Sequence, residues 1–86
     1  MDLDDLLIRY FGTADLDALA PEALADGKER IRVALGTDRD AGRRFALWAL
    51  LHALGDAPDP AAVFKNPAER RAAEDYARAA ERLERE

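Results

Sequence analysis

The sequence predicts an all-α fold, a small orthogonal or up-down bundle of four main helices plus one or two short helical turns, forming a single helical domain over residues 1–86. Three observations carry this expectation. Ala (19) and Leu (12) dominate the apolar residues while Val, Ile and Thr together number six, a balance that favours helix over sheet. Apolar residues recur at spacings of three and four, the period of a helix with one buried face. Capping residues, prolines and glycines fall at intervals suited to helix starts and stops.

A first helix is expected from Leu3 to about Tyr10, with Asp2 as its cap and Asp4 and Asp5 favourably placed against the N-terminal dipole. Leu3, Leu6, Leu7 and Tyr10 form its apolar stripe, and Gly12 is its terminator. Thr13 or Asp15 then begins a short turn carrying Leu16 and Leu19. Pro21 occupies the first position of a second helix, expected to run to Leu35 with Leu24, Ile31, Ala34 and Leu35 inward. Gly27 weakens that helix by about 1 kcal/mol relative to Ala and marks a place where it could break. Residues 28–35 also carry a strand-like alternation of Ile31, Val33 and Leu35, but no second strand is evident to pair with them, so helix is the reading taken.

The third helix, Ala41 to Leu54, is the clearest signal, with an almost wholly apolar stretch from Phe45 to Leu54. Thr37 followed by Asp40 has the spacing of a capping box, and Gly55 closes the other end. At about 100° per residue the helix divides into three faces. Leu47, Leu50, Leu51 and Leu54 share one, Phe45, Trp48 and His52 a second, and Gly42, Ala46, Ala49 and Ala53 the third. A helix apolar all round is expected to be surrounded. The small-residue face therefore packs on the alanine-rich last helix or on a second copy of the chain, and the aromatic face is either core or an exposed groove.

Asp56-Ala-Pro-Asp-Pro reads as a loop, and Asp59-Pro60 starts a one-turn helix holding Val63 and Phe64. Asn66-Pro67-Ala68-Glu69 supplies a cap, a first-position proline and an N3 glutamate for a last helix continuing nearly to the end. In it, Ala73, Tyr76, Ala80 and Leu83 make a narrow seam. Glu74–Arg78 and Glu81–Arg85 have the i,i+4 spacing of ion pairs.

The charge and residue inventory narrow the function classes. Formal charge is −5, with eight acids against four bases in residues 1–36, which argues against nucleic acid as partner. The longest apolar run is far short of the ~20 residues that span a bilayer, and the start lacks a secretory layout, so a cytoplasmic location away from membranes is the default expectation. With no Ser, Cys or Gln and one His, a Ser-His-Asp or Cys-His site cannot be assembled within one chain. His52 is expected to bond a nearby carbonyl or carboxylate. The acids cluster at helix starts, the glycines are scattered, and neither metal nor other cofactor is expected.

The first functional expectation is a non-catalytic protein–protein interaction or regulatory module, binding another protein or a second copy of itself as a homodimer. Its candidate contact residues are Phe45, Trp48 and His52 together with Gly42, Ala46, Ala49 and Ala53. A DNA-associated transcriptional regulator using Arg39, Arg43 and Arg44 is the alternative, weakened by the absence of a polar face beyond Arg44. A second alternative is a small enzyme or apolar-ligand carrier near Trp48 and His52.

Overall fold

A computed structural model describes residues 3–85, with the side chains of residues 3–83. Among the described residues every regular element is helical: α1 (Leu3–Phe11), a 3₁₀ turn (Leu16–Ala18), α2 (Pro21–Thr37), α3 (Ala41–Ala53), α4 (Pro60–Val63) and α5 (Pro67–Arg85). Four main helices and two short helical pieces match the expected all-α architecture. The expected cap Asp2 and the Glu81–Arg85 pair lie outside the described residues and side chains.

Local chemistry explains most boundaries. Gly12 takes φ 78° after α1 and donates to Ile8 O at 2.8 Å, a left-handed stop that a β-carbon would oppose. Gly55, at φ 82°, donates to His52 O while Asp56 N–H donates to Leu51 O, the two bonds of a Schellman motif that satisfy carbonyls at the end of α3. Asp15 caps the 3₁₀ turn, accepting from Asp17 N–H, and Asp59 caps α4 through Ala61 N–H. Asn66 accepts from Ala68 N–H at 2.8 Å and Glu69 N–H at 3.4 Å at the start of α5.

Three expectations are corrected in detail. Residues 28–35 are helical and α2 passes through Gly27 without a break, in line with the helix expected from Pro21, but it continues two residues beyond Leu35. Thr37 is the last residue of α2 rather than a cap of α3: its hydroxyl donates back to Val33 O, and Asp40 is the N-cap, accepting from Arg43 N–H at 2.9 Å. Thr37 and Asp40 both belong to residue types that bond backbone, and the competition goes to the one nearer the apolar run. α3 ends at Ala53, with Leu54 as its C-cap.

α3 packs against α1, α2 and α5, and α5 also packs on α4. One core cluster results. Its centre is Leu47, Trp48, Ala49, Leu50 and Leu51 of α3, joined by Leu6 and Phe11 of α1, Ile31 and Leu35 of α2, Phe64 and Ala73. On the leucine side of α3, Leu47, Leu50 and Leu51 are buried in the core and Leu54 packs half-buried against it. Each buried leucine adds roughly 1.5–3 kcal/mol of transfer free energy over an exposed one.

Candidate functional site

The aromatic face of α3 is covered from within the chain. Trp48 is 1% exposed and Phe64 1%, while Phe45 and His52 are half-buried. Tyr76 of α5 places its ring edge-on to Phe45 at 5.8 Å and to His52 at 5.8 Å, and meets Trp48 at 6.0 Å. Phe64 closes the other side against Trp48 and Phe45. Ring pairs at these separations and tilts are favourable beyond their buried area. The indole Nε1 of Trp48 donates to Pro58 O at 2.9 Å, so the one polar atom of the ring is satisfied by the loop that follows α3.

His52 stacks on Trp48 at 5.4 Å. The carboxylate four residues on, Asp56, is engaged elsewhere, by Lys28 at 2.8 Å and Arg32 at 3.6 Å. The Lys28 hydrogen bond, and then its charge, hold the Asp56 carboxyl below the usual carboxylate range. Among the described residues no three His, Cys, Asp or Glu side chains converge to hold a metal.

The small-residue face is mixed. Ala49 is buried, Ala46 half-buried, and Gly42 and Ala53 are exposed. It is therefore neither a closed interior seam nor a continuous open strip.

The basic trio separates by role. Arg43 makes a two-pronged contact with Asp38, Nε to Oδ2 at 2.8 Å and Nη2 to Oδ1 at 3.3 Å. That bond, followed by the Asp40 amide, keeps the Asp38 carboxyl below its ordinary value and raises the Arg43 guanidinium. Arg44 turns inward, donating to Leu35 O at 3.3 Å and Val63 O at 2.6 Å, with its guanidinium 5.4 Å from the Phe64 ring centre. Arg39 is exposed. No contiguous basic face is formed by the three.

Two further surface features bear on function. A groove of about 430 Å³ runs between the end of α2, the start of α3 and α4, lined by Arg32, Leu35, Gly36, Arg44, Pro58, Ala62 and Val63. No local pattern announces it, because its residues come from four segments brought together only by folding. The second feature was visible as the α5 seam. Ala73 is 0% exposed, Ala77 and Ala80 are half-buried, and Leu83 is 75% exposed, so the apolar stripe begins inside the molecule and ends outside it. On this helix Arg78 pairs with Asp75 rather than with the expected Glu74.

No protein-family model matches the chain, and neither the curated proteins nor the solved structures hold a match to it. No helix among the described residues is long and apolar enough to cross a membrane.

Proposed function

We propose that the chain is a non-catalytic interaction module that meets a second copy of itself through the outer half of α5. The observation that carries this is the continuity of the α5 stripe from buried Ala73 to Leu83, which is 75% exposed. Of the contact residues first expected, Phe45, Trp48 and His52 face Tyr76 and Phe64 of the same chain, and Gly42, Ala46, Ala49 and Ala53 form no continuous open strip, whereas α5 offers an apolar stripe in helical register.

Charge supports a like partner. α5 carries as many acids (Glu69, Glu74, Asp75, Glu81, Glu84) as arginines (Arg70, Arg71, Arg78, Arg82, Arg85), so the net −5 resides on the rest of the chain. Two such helices approach without the repulsion that two acidic surfaces would suffer. Tyr76 and Leu83 lie seven residues apart on one stripe, and an antiparallel copy sets each against the other. The seam is only about 10 Å long at 1.5 Å rise per residue. An interface this small belongs with weak, reversible ones under ~1,200 Å².

Sedimentation velocity at rising concentration tests the reading. The wild type is expected to show a concentration-dependent rise in mass that Leu83→Glu abolishes while keeping its helical circular dichroism. A wild-type protein that stays monomeric up to its solubility limit overturns self-association.

A further inference from the structure

We infer that the groove between the last turn of α2, Arg44 and α4 binds a small amphiphilic carboxylate, an aliphatic chain of medium length ending in one anionic group. The volume, about 430 Å³, falls within the ~300–1,000 Å³ range of small-molecule sites. Leu35, Ala62 and Val63 supply an apolar bed, and at Gly36 a side chain would meet nothing within 4 Å, so the groove is open to an entering chain.

Charge selects an anion over a neutral or cationic occupant. Arg44 is half-buried, and the hydrogen bonds holding it go to two neutral backbone carbonyls, Leu35 O and Val63 O, through Nε and Nη2. Those bonds orient the guanidinium, and among the described residues Nη1 is uninvolved and no carboxylate pairs with Arg44. A second guanidinium, Arg32, lines the same groove at 41% side-chain exposure. Its contacts with Glu29 at 3.2 Å and Asp56 at 3.6 Å are surface pairs that an entering anion can rearrange at little cost, since Asp56 keeps its shorter contact with Lys28. The neighbouring acid, Asp59, directs its carboxylate to Ala61 N–H at the start of α4. Two forked cations beside an apolar bed fit a carboxylate head with a hydrocarbon tail.

The site is separate from the α5 surface, so the two readings stand or fall independently. It also has a built-in reporter, because Pro58, which lines the groove, accepts the Trp48 indole bond.

The test titrates ¹⁵N-labelled protein with octanoate, octanol and octylammonium at constant ionic strength. Octanoate is expected to give saturable amide shifts at Gly36, Ala62 and Val63 and to move the Trp48 indole N–H, with octanol weaker and octylammonium weaker still. Arg32→Gln, an exposed change outside the core, is expected to lower octanoate affinity about three- to fivefold, the scale of one partly exposed ion pair, and to leave octanol unchanged. Leu83→Glu is expected to bind octanoate like the wild type. Equal affinity for the three amphiphiles, shifts centred away from α2 and α4, or an Arg32→Gln variant that binds octanoate undiminished would each overturn the inference.

Discussion

The ring of Phe11, at the end of α1, occupies the space that a side chain at Gly27 of α2 would need: a β-carbon there would overlap the ring at Cε1 and Cδ1. Gly27 is buried in mid-helix, where glycine is ordinarily a cost, and its reason is the closeness with which the aromatic ring approaches the α2 backbone.

A reversal of the usual glycine rule follows. Gly27→Ala gains about 1 kcal/mol in helix propensity, but overpacking against a buried ring costs about 1–3 kcal/mol. The expected result is a net loss of stability in urea denaturation. In a Phe11→Ala background the same substitution is expected to stabilise, because the obstruction is gone and only the propensity gain remains. A Gly27→Ala protein more stable than wild type with Phe11 intact would refute the close approach.

Trp48 offers a second test. Trp48→Phe keeps an aromatic body in the cluster but leaves Pro58 O without its donor, an expected cost of about 1–3 kcal/mol. As the only tryptophan and 1% exposed, it should emit at short wavelength and resist acrylamide quenching until the protein unfolds. Red-shifted native emission would place the indole outside the core.

These two sites mark the boundary of what sequence alone conveys. Helix starts and stops depend on neighbours a few residues away, so Asp59-Pro60, Asn66-Pro67, Gly12 and Gly55 were readable, as was the leucine side of α3 from its period. The Gly27–Phe11 approach joins residues sixteen apart and has no local signature; propensity alone points the wrong way, toward a break. The aromatic face of α3 was legible as a set but not as covered, since its cover is Tyr76 and Phe64, set by how α5 and α4 return to α3. Arg44 and Arg43 are adjacent and alike in sequence, and only the helical step of about 100° between them sends one to the half-buried carboxylate of Asp38 and the other into the groove.

Acid should erode two specific contacts. Asp38 and Asp56 have folded pKa values below the ordinary ~3.9, held down chiefly by the Arg43 and Lys28 hydrogen bonds respectively. A carboxyl depressed in the folded state contributes stability that is present above its unfolded pKa and lost as pH falls through its folded one. Stability is therefore expected to fall from about pH 4 downward on their account. Asp38→Asn and Asp56→Asn should each flatten that limb of the denaturation midpoint plotted against pH. In Arg43→Gln, the Asp38 carboxyl followed by NMR should titrate at higher pH than in wild type; an unchanged titration would mean the bond does not persist in solution.

The basic trio makes the last prediction, and it separates a structural arginine from surface ones. Arg44→Met keeps the aliphatic stem over Phe64 but removes both donors, freeing Val63 O at the end of α4 and Leu35 O at the end of α2. Hydrogen bonds from a charged donor are each worth roughly 1.5–3 kcal/mol net, so a loss on the order of 2 kcal/mol is expected, with part of the guanidinium's desolvation cost recovered. Arg39→Met removes an exposed side chain and should leave stability within about 0.5 kcal/mol of wild type. Arg43→Met should fall between them at neutral pH and approach wild type in acid, where Asp38 is protonated and the contact is already lost. Thermal or urea denaturation of the three variants gives the ranking directly. Equal, small effects at all three positions would mean that Arg44 does not tie α2 to α4, and the groove it borders would lose its fixed cation.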